Sequence, residues 1–166
     1  MHEITAHDDL SIDKAEFYAR LGGDVEAILT GERDWIANTA NCAAILFHAL
    51  REINWAGFYF LQGEELVLGP FQGKPACVRI ALGRGVCGAA GAQKRTQVVP
   101  VVHEFPGHIA CDSASKSEIV LPLLSGDRLV GVLDIDSPIL NRFDEADAAG
   151  LQAIVDCLLG ASDLPV

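Results

Sequence analysis

The sequence lacks the features that mark membrane, secreted and nucleic-acid-binding proteins. Its N-terminal residues are acidic and contain no basic segment followed by an apolar one, so we expect no signal peptide. No apolar run reaches the roughly 18 residues that a membrane-spanning helix needs. Lys and Arg number 12 against 23 Asp and Glu, which argues against binding to phosphates or to an anionic membrane. These absences predict a cytoplasmic protein that binds neither nucleic acid nor membrane.

The sequence also lacks internal repeats and low-complexity linkers. Its 166 residues, 50% of them hydrophobic, suit a single domain over residues 1–166 with a substantial core. Hydrophobic periodicity and turn residues predict helices at 11–30, 34–52, 86–92 and after residue 144, and strands at 54–61, 65–68, 77–80, 97–102, 117–124 and 128–136. The pattern indicates an α+β fold with a central antiparallel β-sheet flanked by helices. The stretch 69–75 is predicted as a loop, as is the long stretch 103–116, and loops of that length are often functional.

Five cysteines in a reducing compartment are packing residues, metal ligands or working thiols rather than a disulfide framework. Cys42 and Cys157 fall beside the apolar faces of predicted helices, where a buried and inert thiol is expected. Cys77, Cys87 and Cys111 lie in or next to loops. They are either unrelated small core residues or a set in which one thiol attacks and another resolves. Cys111, in the long loop, is the best candidate for the attacking thiol.

A metal site is an alternative use of the same loop. His103, His108 and Cys111 have a spacing that zinc accepts, and a metal-dependent hydrolase would use them. The sequence contains, however, no Cys-x-x-Cys pair and no His-Glu-x-x-His helix. We therefore expect no metal and no bound cofactor. The histidines could instead favour a neighbouring thiolate or hydrogen-bond the loop backbone.

Three carboxylates stand in strands, where acidic residues are uncommon. Asp134 and Asp136 alternate with apolar residues, so both point to one face of their strand. If residue 124 pairs with residue 128 across the hairpin, Glu118 lies opposite Asp134. The group is either a strand end that reaches solvent or a pocket for a cationic group with one carboxyl kept protonated. The apolar neighbours favour the pocket.

Aromatic residues in the strand at 54–61 could form the wall of such a pocket. Trp55, Phe58 and Tyr59 are the candidates, and aromatic walls beside carboxylates suit an ammonium or a thioether. Phe58 fits the core of the sheet equally well.

Several long sequence segments resemble one protein family. They are NWAGFY at 54–59, GPFQGKPACVRI at 69–80, GRGVCG at 83–88, FPGHIACDSASKSEIVLPL at 105–123, GVLDIDSP at 131–138 and RFDEAD at 142–147. Together they resemble the free methionine-(R)-sulfoxide reductases, which are built on a GAF domain. The resemblance covers residues 11–160, nearly the whole chain.

The resemblance implies a GAF-like fold and reduction of the R-sulfoxide of free methionine, with thioredoxin as electron donor and a homodimer as the common assembly. It implies that Cys111 attacks the sulfoxide and becomes a sulfenic acid. Cys77 or Cys87 would then resolve it as an intramolecular disulfide. A non-catalytic GAF sensor of small molecules is the alternative, but it gives the loop thiols no role.

The resemblance also assigns the substrate pocket. Glu118, Asp134 and Asp136 match carboxylates that surround the substrate, and Trp55 and Tyr59 match its aromatic wall. Either Glu118 or Asp136 would give the proton that the sulfoxide oxygen needs in order to leave.

Overall fold

A computed structural model of the protein describes residues 11–109 and 113–165. The helices are α1 (Lys14–Leu29), α2 (Trp35–Ala49), α3 (Gly85–Gln93) and α4 (Glu145–Ala161), and the strands are β1 (Trp55–Gln62), β2 (Glu65–Gly73), β3 (Arg79–Ala81), β4 (Gln97–Val99), β5 (Ser117–Ser125) and β6 (Arg128–Ser137). None of these helices is long and apolar enough to cross a membrane.

The strands form one antiparallel sheet in the order β3-β2-β1-β6-β5-β4. Tight hairpins join β1 to β2 and β5 to β6, and each turns at a glycine with positive φ, Gly63 at 65° and Gly126 at 60°. The pairing of β1 with β6 brings the two hairpins together at the centre of the sheet. The predicted α+β architecture is confirmed.

Aspartates start three of the helices. The side chains of Asp13, Asp34 and Asp144 each accept a hydrogen bond from a backbone N–H in the first turn of α1, α2 and α4. In α4 the side chain of Asp147 also accepts from the backbone of Asp144, which completes a capping box. Lys14 at the start of α1 donates to both of these carboxylates, so the same acids attach the first helix to the last.

Alternation along the central strands divides the apolar residues between two cores. On one face, Phe58, Leu133 and Ile135 pack against α1, α2 and α4. On the other face, Tyr59 and Val132 pack with residues of α3. Phe58 is therefore a residue of the helix-covered core, and of its two predicted roles only core packing is consistent with the structure.

Strand β2 is longer than the sequence pattern predicted. The stretch 69–75 was predicted to be a loop, but β2 continues through Gly69 to Gly73. These glycines permit close approach rather than a turn: a Cβ on Gly69 would lie 2.8 Å from the ring of Phe60, and one on Gly73 would lie 2.6 Å from the ring of Trp55. The extension brings the strand to the edge of the polar site.

Candidate active site

A pocket lies between α3 and the sheet face that does not carry the long helices. It encloses about 570 Å³ between side chains, part of it open to solvent. Six of the residues predicted from the sequence line it together: Trp55, Tyr59, Cys87, Glu118, Asp134 and Asp136. The exposed Lys74 and Arg84 and the half-buried His108 also line it. The pocket thus combines aromatic, acidic and thiol groups within a border that includes cationic side chains.

The three carboxylates share one face of the sheet, although their register differs from the predicted one. Glu118 pairs with Asp136, not with Asp134. The hairpin pairs Ser125 with Arg128, and a β-bulge between Leu123 and Leu124 adds one more residue, so the register differs by two residues from the predicted one. Because the shift is even, all three side chains still point to the same side.

Trp55 forms a flat wall of the pocket. Its ring stacks on Phe71 at 5.2 Å between centroids and on Tyr59 at 5.9 Å. Its Nε1 donates to the carbonyl of Lys74 at 3.1 Å, which fixes the ring against the segment that leads to β3. Gly57 makes room for this arrangement, because a Cβ there would lie 2.7 Å from the Trp55 ring.

The carboxyl groups at the base of the pocket are buried. Glu118 and Asp134 are each 6% exposed, and among the described residues Asp134 Oδ1 has no hydrogen-bond partner. Burial, followed by the charges of Asp134 and Asp136, raises the pKa of Glu118 well above its usual range. Burial also raises the pKa of Asp134 to about 6, although contacts with Cys87 and Glu118 oppose this rise. Glu118 therefore keeps its proton to a higher pH than an ordinary glutamate does, and it lies beside a second carboxyl, Asp134, whose pKa is also raised.

The thiol of Cys87 lies next to this pair of carboxyl groups. Its Sγ is 3.9 Å from Glu118 Oε1, and the residue is 4% exposed. Burial, and then the charges of Asp134 and Glu118, raise the pKa of Cys87 well above its usual range. Cys87 is consequently a neutral thiol at neutral pH.

The described cysteines differ in oxidation state. Cys77 is disulfide-bonded, whereas Cys42, Cys87 and Cys157 are free thiols. Cys111, the predicted attacking thiol, lies outside the described residues. Cys42 is fully buried in the helix-covered core, where burial raises its pKa to about 12, as expected for an inert packing thiol.

The two histidines of the long loop contact each other near the pocket. Their rings meet edge to face at 5.8 Å, and burial together with His103 lowers the pKa of His108. In the part of the chain that the structure describes, the three potential metal ligands whose donor atoms lie within 4.8 Å of one another are Cys87, Glu118 and Asp134, and neither histidine belongs to that group.

Comparison with known proteins assigns the family. Residues 24–158 match the GAF domain model. The chain is 54% identical to free methionine-R-sulfoxide reductase of Escherichia coli strain K12 over 87% of both proteins, and 43% identical to that of Saccharomyces cerevisiae over 87% of this chain and 84% of the yeast protein. The X-ray structure of free methionine-R-sulfoxide reductase from Neisseria meningitidis in complex with its substrate aligns with a TM-score of 0.91 at 46% identity, covering 97% of this chain and 95% of that one. This chain belongs to the free methionine-R-sulfoxide reductase family of GAF domain proteins.

Two residues at or beside the pocket were not predicted from the sequence. Phe71 supports the Trp55 ring from the far side, but it lay in a segment predicted to be a loop. Ser115 lines the pocket and accepts from Asn54 Nδ2 at 3.3 Å. The signal that could have identified Phe71 is Gly57 in β1, because a Cβ there would lie 2.3 Å from the Cβ of Phe71.

Replacing Asp134 with Asn should stabilise the reductase fold above the pKa of this carboxyl. The pKa of Asp134 is raised from 3.8 to about 6 in the folded chain, so its ionisation at neutral pH opposes folding by about 3 kcal/mol. The gain from Asn should be complete above about pH 7, shrink as pH falls through 6, and vanish below about pH 4.

Urea unfolding of wild type and Asp134→Asn at about pH 8 and about pH 4 measures this difference. Asp127→Asn, at an exposed hairpin position, is the matched control and should leave stability nearly unchanged. Equal or lower stability of Asp134→Asn at the higher pH would contradict the expectation.

Proposed function

We propose that this chain reduces free methionine (R)-sulfoxide to methionine. The observation that carries the proposal is the buried pair of Glu118 and Asp134, two carboxyls with raised pKa values, beside the aromatic wall of Trp55 and Tyr59. Reduction of a sulfoxide needs a proton donor for the departing oxygen, and a free amino acid needs an anion for its ammonium. Its relatives in Escherichia coli and Saccharomyces cerevisiae carry the name of this activity.

The ammonium of the substrate is proposed to bind near Asp134 and Asp136. Among the described residues Oδ1 of Asp134 has no hydrogen-bond partner, and a bound cation would satisfy this acceptor. The side chain of the substrate then lies along Trp55 and Tyr59, whose ring faces suit the methyl group and the sulfur. A methionine sulfoxide within a peptide has no free ammonium at this position, so the site should reject it.

In the reaction, the thiolate of Cys111 attacks the sulfur of the sulfoxide. The oxygen is protonated and transferred to the cysteine, methionine leaves, and Cys111 becomes a sulfenic acid. Between the two predicted proton donors, burial and the raised pKa of the carboxyl support Glu118.

The sulfenic acid is proposed to condense with Cys77, releasing water and forming a disulfide. The disulfide bond at Cys77 and the free thiol at Cys87 support this choice between the two candidates. Thioredoxin then returns both thiols by exchange, with its own dithiol oxidised in the process. A homodimer is the expected assembly, and sedimentation velocity would measure it.

An NADPH-coupled assay with thioredoxin and thioredoxin reductase tests the function. We expect NADPH consumption with the free R-sulfoxide only, and none above background with the free S-sulfoxide or a peptide-bound R-sulfoxide. Turnover of the peptide, or of both epimers, would contradict the proposed site. Methionine binding by calorimetry without any NADPH consumption would indicate the alternative, a non-catalytic sensor.

A further inference from the structure

We propose that Cys87 remains a thiol throughout the reaction and acts as a positioning residue that donates its S–H to Glu118. This inference rests on the proposed function and assigns a role to the one pocket thiol that the reaction cycle leaves unused.

The position of Cys87 is set by the close packing of α3. The helix begins at Gly85, which has φ of 60°, and Gly88 lies so near β3 that a Cβ there would be 2.5 Å from the carbonyl of Ala81. The turn that carries Cys87 is thereby fixed over the carboxylates. Its Sγ lies 3.9 Å from Glu118 Oε1, within the range of a weak S–H donor.

The surroundings of Cys87 oppose a redox role. Thiol–disulfide exchange requires a thiolate that an incoming sulfur can reach. Cys87 is 4% exposed, and burial with the charges of Asp134 and Glu118 raises the pKa of its thiol. In the same structure Cys77 is disulfide-bonded while Cys87 stays free.

A donor at this position lowers the pKa of Glu118, and it also lowers that of the neighbouring Asp134. The titratable and charged groups that line the pocket with Glu118 are Asp134 and Asp136 from β6, Tyr59 from β1, Cys87 from α3, and His108, Lys74 and Arg84 from loops. Burial and the two aspartates all raise the pKa of Glu118, whereas the hydrogen bond from Cys87 lowers it. Donation from a neutral thiol stabilises the carboxylate without adding a charge. Cys87 thus limits the rise in the pKa of Glu118, so that this carboxyl can still release its proton.

The experiment is a carboxyl ¹³C NMR titration of Glu118 in the full chain, with Glu118→Gln used to assign the resonance. We compare wild type, Cys87→Ala, which loses the donor, and Cys87→Ser, which keeps one. The midpoint for Glu118 should rise by about one pH unit in Cys87→Ala, the effect of one hydrogen bond to a carboxylate, and return towards wild type in Cys87→Ser. An unchanged or lower midpoint in Cys87→Ala would overturn the proposal.

A second measurement follows the thiols after one equivalent of free methionine (R)-sulfoxide, without reductant. Peptide mass mapping should find the same Cys77-containing disulfide in wild type, Cys87→Ser and Cys87→Ala. Its loss in both variants, or a disulfide at Cys87 in wild type, would overturn the proposal. If wild type makes no methionine, the proposed function fails, while the NMR titration still reports on Cys87 and Glu118.

Discussion

Replacing Cys111 with Ser should abolish methionine formation, including the first turnover. A serine hydroxyl is not ionised near neutral pH and is a poor nucleophile toward sulfur, so no sulfenic acid can form. Quenched-flow measurement of methionine, with protein and free R-sulfoxide in equal amounts and no reductant, should give background only. The buried pocket should still bind substrate, because none of its described residues is changed.

The matched variant is Cys77→Ser. It retains the attacking thiol but lacks the proposed resolving one, so it should form one equivalent of methionine and then stop when thioredoxin is the sole reductant. Methionine formation by Cys111→Ser would contradict the assignment of the nucleophile. Continued turnover of Cys77→Ser with thioredoxin would contradict the assignment of the resolving thiol.

Replacing Glu118 with Gln should lower the single-turnover rate by roughly 10²- to 10⁴-fold, the usual contribution of a positioned proton donor. The amide preserves the size of the side chain but cannot supply a proton to the sulfoxide oxygen. Glu64→Gln, at an exposed turn position, is the matched control and should behave as wild type.

The pH dependence separates this role from simple packing. Burial and the neighbouring aspartates raise the pKa of Glu118, so the active, protonated form persists to a higher pH than in an ordinary glutamate and is lost as pH rises through that raised pKa. Wild type should show this alkaline decline and Glu118→Gln should lack it. A variant rate within about tenfold of wild type, with the large loss in Asp136→Asn instead, would assign the proton to Asp136.

Much of the architecture could be predicted because helix caps and strand alternation depend on residues that lie close together in the sequence. Asp13, Asp34 and Asp144 each stand before an amphipathic stretch, and each caps the helix that follows. The alternation of Asp134 and Asp136 with apolar residues placed both carboxylates on one face, which the β6 pairing confirms.

Other features depend on contacts that the sequence does not encode locally. Gly69 and Gly73 of β2 are residues typical of a loop. In the structure they let the backbone pack closely against the rings of Phe60 and Trp55. The register of β5 and β6 differs by two residues from the predicted one, one from the pairing of Ser125 with Arg128 and one from the bulge between Leu123 and Leu124, and no turn residue marks that bulge.

The difference between two of the thiols also could not be predicted from the sequence. Cys77 and Cys87 have similar settings in the sequence, each close to glycine and next to a short element. Their difference arises from three-dimensional burial, since Cys87 is enclosed by α3 and the carboxylates and Cys77 is half-buried. Sequence spacing therefore could not predict the difference in burial between Cys77 and Cys87.

The division of the sheet into two cores has a practical consequence for protein engineering. The carboxylates of the pocket lie on the sheet face opposite the helix-covered core around Phe58 and Leu133, so this core can be repacked without altering the groups that line the pocket. Stabilising substitutions selected there should compensate for the folding cost of ionised Asp134. A library confined to the opposite face could then search for new sulfoxide substrates on a scaffold that tolerates more mutations.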